Sequence, residues 1–184
     1  MRSEDQQLML QVADGDLEAF GDLVDRHRQT AWQVAYRMLG DAAEAEDAAQ
    51  QAFLKIFEAA GRYEPTAAFK TYLNRVVTRH CLDRIEKKKP VYVDELPPRR
   101  DEGRGPGARL EVRQKRQKIG EAIEALPPRQ RAAVVLYHFE GLSYAEVADS
   151  LGCSTKAVER LLARGRGALA DELEGLMEIE EKTG

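Results

Sequence analysis

The sequence predicts an all-α protein made of two small helical domains joined by a flexible linker. Apolar residues recur at three- and four-residue spacing, the period of helices with one buried face. Capping residues, glycines and prolines separate these periodic segments, and a Pro/Gly-rich stretch divides the chain at residues 90–108. A chain of 184 residues, 43% hydrophobic and 33% charged, is long enough for one or two such domains.

The first domain, residues 1–89, is predicted to contain three helices. Asp16 is a suitable N-cap for a helix that runs to about Leu39, and Gly40 ends that helix. Its buried stripe is predicted to comprise Phe20, Leu23, Val24, His27, Ala31, Val34, Ala35 and Met38.

The second and third helices of this domain follow directly. Asp41 opens the second helix, with Glu44 completing a capping box, and Gly61 closes it. Residues 65–66, a Pro-Thr pair, start the third helix, and Pro90 stops it. Its buried stripe is predicted to comprise Phe69, Tyr72, Leu73, Val76 and His80.

The second domain, residues 109–175, follows the linker and is also helical. The expected segments are a basic helix over 108–126 and three shorter helices at 128–139, 143–151 and 154–173. Residues 176–184 form an acidic tail, for which a solvated helix end is the favoured interpretation.

The segment around residues 143–173 has the spacing of a helix-turn-helix. Ser143 and Glu146 form a capping box, Ala148 is small where two helices cross, and Gly152 suits a left-handed turn. Val158 then faces back into the helix pair, and Leu151 and Leu161 complete the small core. An ordinary helical hairpin with a solvated basic face is the alternative.

The second helix of this motif carries the residues expected to touch DNA. N-terminal side chains of a recognition helix reach base edges, and basic side chains along it hold phosphates. The candidates are Ser154, Thr155, Lys156, Arg160 and Arg164.

The charges of the chain are segregated along the sequence. The net charge of -4 argues against nucleic acid, but residues 70–89 carry seven bases and two acids, and 154–170 carry four bases and one acid. Residues 41–64 and 171–184 are acidic. Local basic patches are what a phosphate backbone meets, so the distribution favours a nucleic-acid partner.

The helix containing EDAAQQAFLKIF (46–57) places polar groups on one face, opposite Phe53 and Ile56. A face of carboxylates and amides beside an exposed leucine suits contact with a basic protein partner, and a solvated face is the alternative. The candidates for this contact are Asp47, Gln50, Gln51 and Leu54.

The third helix, FKTYLNRVVTRHCLDRIEKKK (69–89), presents a basic outward side with aromatic residues near its start. Such a helix binds strands and stacks unpaired bases. Its predicted outward residues are Lys70, Asn74, Arg75, Thr78, Arg79 and Arg84. Among the aromatics Tyr63, Phe69 and Tyr72, Phe69 is expected to belong to the core.

Enzymes and metal proteins are disfavoured by the motifs. The sequence has no CxxC, no HExxH, no phosphate loop and no nucleophile elbow, so no catalytic residue, metal or cofactor is expected. Cys81 and Cys153 imply no disulfide framework, and no apolar run approaches the roughly 18 residues of a membrane span. The polar N-terminus is not a secretory signal, so a reducing cytoplasm is the expected location.

Four segments in order resemble the extracytoplasmic-function (ECF) sigma factors of bacterial RNA polymerase. They are GDLEAFGDLVDRH (15–27), the two helices just quoted, and LPPRQRAAVVLYHFEGLSYAEVADSLGCSTKAVERLLARGR (126–166). The resemblance covers roughly residues 10–90 and 115–173.

The resemblance implies a role for each candidate face. The first domain is similar to sigma region 2, in which Asp47, Gln50, Gln51 and Leu54 would dock on the clamp helices of the core polymerase. Lys70, Asn74, Arg75, Thr78 and Arg79 would read the minus-ten promoter element, and the loop 61–68 would help to capture a flipped base. The second domain is similar to region 4, in which Ser154, Thr155, Lys156, Arg160 and Arg164 would read the minus-thirty-five element.

Three positions depart from what the family often carries. Glu159 and Leu161 stand where basic residues are common, which puts the individual minus-thirty-five contacts in doubt. Tyr72 stands where the family often has tryptophan and keeps the aromatic character.

The resemblance also implies partners: core polymerase, promoter DNA and an inhibitory anti-sigma factor, often membrane-bound. The protein is then cytoplasmic, nucleoid-associated when active and held at the membrane when such an inhibitor binds it. The rival functions are a sigma-like mimic and a one-component helix-turn-helix regulator.

Overall fold

The computed structural model describes residues 3–88 and 108–183, and it describes side chains over 3–88 and 117–171. Within these ranges the chain is helical and contains no strand. In chain order the helices are α1 Glu4–Ala13, α2 Leu17–Leu39, α3 Ala42–Glu58, α4 Phe69–Lys87, α5 Ala108–Ala125, α6 Pro128–Val134, α7 Tyr144–Leu151 and α8 Thr155–Thr183. A 3-10 turn at Ala60–Arg62 follows α3, and a π-helical turn at Val135–Phe139 continues α6. The predicted all-α class is confirmed.

Helices α1 to α4 form the first domain around a core rich in alanine. Short alanine side chains let helix axes approach closely, so the long α2 and α3 can pack side by side. The fully buried alanines of these two helices are Ala31, Ala35, Ala45, Ala48 and Ala52. The largest buried side chains of the domain are Met9, Leu23, Met38, Ile56, Phe69 and Leu73.

Both ends of α2 follow the prediction. The Asp16 carboxylate accepts hydrogen bonds from the backbone N–H groups of Glu18 (2.9 Å) and Ala19 (3.1 Å), two of the donors that a helix start leaves without partners. Gly40 ends the helix with φ of 73°, a left-handed conformation that favours glycine.

Helix α1 is not among the predicted helices. Its start is a capping box in which the Ser3 hydroxyl accepts from the Gln6 backbone N–H and the Gln6 side chain accepts from the Ser3 N–H. Asp5 of α1 contacts the ring of His27 on α2 at 2.9 Å. This contact explains why His27, predicted on the buried stripe, is a boundary histidine with a polar partner.

Two predicted ends of α3 need correction. The Asp41 side chain accepts from the backbone N–H of Glu44 at 2.8 Å. The Glu44 carboxylate does not complete a capping box, because it pairs with Arg84 of α4 and with Lys88, the residue after that helix. The helix ends at Glu58, before the predicted Gly61.

The start and the buried face of α4 also differ from the prediction. The helix begins at Phe69 and not at residues 65–66. In the loop before it, the Ala67 carbonyl accepts a hydrogen bond from the Gln6 side chain of α1 at 2.9 Å. Its fully covered apolar residues are Phe69, Leu73, Val77 and Cys81, whereas the predicted Tyr72, Val76 and His80 are half-buried.

The second domain comprises α5 to α8, and its helix-turn-helix is α7 and α8. The capping box of Ser143 and Glu146 is present, and Gly152 adopts the left-handed conformation with φ of 60°. Ala148 and Val158 are buried between the two helices as predicted. The core leucine of α8 is Leu162, which is fully buried, and not the predicted Leu161, which is half-buried.

The last helix is longer than expected. It continues from Thr155 to Thr183 and therefore includes the segment predicted to be a tail from residue 176. A side chain at Gly165 would lie 2.8 Å from a Val134 methyl, so glycine at this position allows α6 to pack directly on α8.

The two domains contact each other in this structure. Helix α7 lies against α4, and the segment from α5 to the π-helical turn lies against the C-terminal half of α2. Residues 90–107 of the predicted linker lie outside the described residues. Within the described parts of the chain, no helix is both long enough and apolar enough to cross a membrane.

Candidate nucleic-acid interface

The recognition face of α8 is open to solvent. The Ser154 hydroxyl accepts from the Ala157 backbone N–H at 3.2 Å, which fixes the start of the helix at the end that would meet base edges. The predicted residues Ser154, Thr155, Lys156, Arg160 and Arg164 are all exposed. Glu159 is exposed among them, so a carboxylate shares this otherwise basic face.

The acidic and amide face of α3 is exposed as predicted. Asp47, Gln50 and Gln51 are open to solvent, and the Leu54 side chain is 50% exposed. The Asp47 carboxylate pairs with Arg84 of α4 and raises the pKa of that guanidinium. This ion pair connects the exposed face of α3 to α4.

An apolar patch beside this face was not predicted. Phe57 lies one turn from Leu54 on α3, and its ring contacts that of Phe20 with centroids 5.0 Å apart. Leu17, one turn before Phe20 on α2, is 68% exposed. The sequence shows two apolar pairs with three-residue spacing, Leu17 with Phe20 and Leu54 with Phe57. It does not show that the two pairs form one patch, because they meet only through the packing of α2 on α3.

The aromatic residues near the start of α4 form a connected group. Tyr72 lies between Tyr63 (ring centroids 5.3 Å apart) and Phe69 (6.3 Å), and the Arg75 guanidinium lies 5.3 Å from its ring. Phe69 is buried against His27, which confirms that it belongs to the core. Burial raises the pKa of both tyrosine hydroxyls, so these tyrosines are neutral at physiological pH.

The expectation that the polar side of α4 faces outward is wrong for two residues. Asn74 and Thr78 are fully buried, and the second domain lies against the helix that carries them. Asn74 is in contact with Glu140, which is 66 positions away in the sequence. The sequence of α4 alone could not have predicted this burial.

The arginines on the same side of α4 also contact the second domain. Arg75 pairs with Asp149 at 2.6 Å. Arg79 donates to the backbone carbonyls of Asp149 and Ser150 in the last turn of α7, both at 3.1 Å. Arg84, predicted to face outward with them, pairs with Asp47 of its own domain.

Lys70 and the unpredicted Thr71 extend this contact toward the start of α4. Lys70 pairs with Glu140 at 3.1 Å, and the Thr71 hydroxyl donates to Glu146 at 2.9 Å. The Glu146 carboxylate also accepts the capping-box bonds from Ser143, and these bonds hold its pKa below the usual 4.5. Acidic residues of the second domain thus contact most of the α4 residues that were predicted to read the minus-ten element.

His80 lies beneath the acidic face of α3. Its Nδ1 accepts a hydrogen bond from the Lys55 ammonium at 2.8 Å, since an ammonium only donates. Burial, together with the positive charges of Lys55 and Arg84, lowers the pKa of His80 from its ordinary 6.5. The imidazole is therefore neutral at physiological pH.

Comparison with known proteins assigns both domains. Residues 23–91 match the family described as Sigma-70 region 2, and residues 116–169 match Sigma-70, region 4. The ECF RNA polymerase sigma factor SigW of Bacillus subtilis is 33% identical over 177 residues, which span 90% of this chain and 95% of SigW.

The chain belongs to the ECF sigma factors.

Another relative and a solved structure agree with this assignment. The ECF sigma factor SigE of Mycolicibacterium smegmatis is 32% identical over 168 residues, covering 88% of this sigma factor and 65% of SigE. The structure of CnrH in complex with the cytosolic domain of CnrY is similar with a TM-score of 0.69 and 28% identity, and it covers 94% of this chain and 99% of CnrH. This ECF sigma factor is therefore an alternative sigma factor that acts in transcription initiation.

Proposed function

We propose that this sigma factor contacts the transcription machinery through three separate faces. The α3 face docks on core polymerase, α4 reads the minus-ten element, and α8 reads the minus-thirty-five element. The observation that carries the proposal is the division of charge: an exposed acidic and amide face on α3, and basic faces on α4 and α8.

Docking on core polymerase uses the polar face and the apolar patch of the first domain together. Asp47, Gln50 and Gln51 would meet cationic and polar groups of the clamp helices, while Leu54 and Phe57 bury apolar surface. An interface with an apolar centre and a polar rim is typical of stable protein contacts.

Recognition of the minus-ten element is assigned to one side of α4. Arg75 and Arg79 would hold the strand backbone, while Asn74 and Thr78 offer hydrogen-bonding groups to bases. Lys70 would add a phosphate contact at the start of the helix. The aromatic group around Tyr72, with the loop 61–68, would receive an unstacked base.

Recognition of the minus-thirty-five element is assigned to α8. Ser154, Thr155 and Lys156 lie at the N-terminal end that enters the major groove, and Arg160 and Arg164 lie further along to hold phosphates. Glu159 suits a cytosine, whose exocyclic amine donates.

The protein acts by differential binding and leaves the chemistry to the polymerase, so it is not an enzyme. Its contacts favour the melted promoter strand over the paired one, which shifts the equilibrium toward the open complex. This activity belongs in the cytoplasm, at the nucleoid. We expect an anti-sigma partner as well, because CnrH was solved with the cytosolic domain of CnrY.

Reconstituted transcription tests this function. Purified core polymerase should start RNA synthesis at specific promoters only when the protein is added, and mapped start sites should share upstream elements. A one-component regulator or a mimic would give no specific initiation with core polymerase alone, and that result would refute the proposal.

A further inference from the structure

We infer that Gln6 of α1 is a positioning residue for the loop 61–68, and that its amide keeps this loop in the conformation that receives an unstacked promoter base. The inference rests on the role proposed for the loop. Gln6 lies outside the three faces proposed to contact the transcription machinery, and it is hydrogen-bonded to Ala67, 61 positions away in the sequence. Its effect on promoter DNA would therefore be exerted through the loop.

The Gln6 side chain forms two hydrogen bonds with different partners. Its Oε1 accepts from the Ser3 backbone N–H at 3.0 Å, and its Nε2 donates to the Ala67 carbonyl at 2.9 Å. A backbone N–H can only donate and a carbonyl can only accept, so these partners allow one orientation of the amide. The bond to Ser3 caps α1, and the bond to Ala67 connects that cap to the loop.

Glutamine at this position supplies more than a helix cap. Glutamate completes a capping box equally well, as Glu146 does at the start of α7. A carboxylate could accept from the Ser3 N–H, but at neutral pH it has no proton to donate to the Ala67 carbonyl. The amide is thus the group that satisfies both partners, and its second bond serves the loop.

The loop has few other contacts that fix its backbone. Within the described residues, the bond from Gln6 is the only hydrogen bond that joins residues 64–68 to a helix other than α4. Thr66, Ala67 and Ala68 are exposed, so side-chain packing restrains them little. A loop that is ordered before its ligand arrives loses less conformational freedom on binding and therefore binds more tightly.

Helix α1 is fixed on the first domain by contacts that do not involve Gln6. The fully buried Met9 packs in the core. Asp5 contacts the His27 ring at 2.9 Å, and the centroid of that ring lies 5.1 Å from that of Phe69, the first residue of α4. The helix therefore remains in place when only the amide of Gln6 is altered.

Removal of single bases from the minus-ten element measures base capture by the holoenzyme. The probe is a labelled fork-junction DNA from a promoter mapped by reconstituted transcription, with one non-template base removed at a time. Because stacking on aromatic side chains contributes to affinity, the wild type should bind about tenfold more weakly when the captured base is missing. A 2-aminopurine substitution identifies that position, since its fluorescence changes when the base leaves the stack.

The variant Gln6→Glu removes the donor to Ala67 and keeps the acceptor for Ser3. The effect of removing the captured base should fall from about tenfold to about threefold, because the released loop must be ordered during binding. The effects at the other minus-ten positions should stay within about twofold of the wild type.

Gln7→Glu is the matched control, since it makes the same chemical change at the next residue, which is exposed. It should behave as the wild type in every probe. Thermal unfolding of Gln6→Glu and Gln7→Glu should coincide, because each variant adds an acid near the start of α1.

Three other results would count against the inference. Equal behaviour of Gln6→Glu and Gln7→Glu, while the wild type discriminates the captured base, would overturn it and leave the proposed function intact. A uniform loss of affinity at every position would also overturn it, because general weakening of the domain is not positioning of the loop. A wild-type holoenzyme indifferent to base removal throughout the minus-ten element would refute the proposed base capture itself, and the inference with it.

Discussion

Arg75 and Arg79 lie one turn apart on α4, yet the second domain holds them by different groups. Arg75 meets a side-chain carboxylate at 2.6 Å, whereas Arg79 meets two backbone carbonyls at the end of α7. An ion pair with an exposed carboxylate is worth little in water, about 0–1 kcal/mol. The Arg75 guanidinium can therefore be transferred to a nucleic-acid strand at modest cost.

The double variant Arg75→Ala with Arg79→Ala should reduce promoter opening by at least about tenfold, since each strand contact is worth roughly 1–3 kcal/mol. Binding to core polymerase should stay within about twofold, because neither residue belongs to the α3 face. Permanganate footprinting of the melted bases and co-purification with core polymerase measure the two effects. An equal loss of both would contradict the separate roles of α3 and α4.

His80 gives the first domain a predictable pH response. Its pKa is lowered in the folded protein by burial and by Lys55, so below pH 6.5 the unfolded chain binds a proton that the folded chain does not. The free energy of unfolding should therefore decrease as pH falls from 6.5 toward the lowered pKa. Urea unfolding from pH 8 to pH 5 measures this slope.

Lys55→Met should raise the pKa of His80 part of the way toward 6.5, because burial remains after the cation is removed. NMR titration of the ring protons, assigned with His80→Gln, gives the shift directly. An unchanged pKa in Lys55→Met would show that the contact between Lys55 and His80 does not persist in solution.

At the scale of elements, both α1 and α7 begin with a capping box, but the side chain that pairs with the serine is an amide in one and a carboxylate in the other. Ser3 pairs with the amide of Gln6, and Ser143 pairs with the carboxylate of Glu146. Only the second box can titrate. Its carboxylate has a lowered pKa, so its stabilising contribution is complete above pH 4.5 and is lost as pH falls through that lowered value.

Ser143→Ala should lower the free energy of unfolding by about 1 kcal/mol at neutral pH, the usual effect of losing such a cap. The loss should shrink in acid, where protonated Glu146 no longer accepts the charged hydrogen bonds. Ser3→Ala is the matched control and should cost the same at neutral and acid pH. Urea unfolding at pH 7 and pH 3.5 compares them, and a pH-independent loss in Ser143→Ala would contradict this account of Glu146.

The sequence was sufficient for elements whose determinants are local. The turn of α7 and α8 was predicted because Ser143, Gly152 and Val158 fall within one short segment. Helix α1 was missed although Ser3 and Gln6 have the spacing of a cap. Burial of Asn74 could not be predicted, because its cover is supplied by Glu140 across 66 positions.

At the scale of the whole molecule, the face assigned to core docking is separate from the surface that contacts the second domain. The α3 face is exposed, and Asp47 of that face is paired with Arg84 of α4. On another part of α4, Asn74 and Arg75 contact the second domain. The α3 face is therefore open to a partner while the second domain lies against α4.

The double variant Asp47→Ala with Gln51→Ala should reduce co-purification with core polymerase several-fold, because it removes a carboxylate and an amide from the docking face. Gln11→Ala with Asp14→Ala alters an exposed amide and acid near the end of α1, and it should behave as the wild type. Recovery of core polymerase by Asp47→Ala with Gln51→Ala equal to that by the wild type would remove the α3 face from the interface.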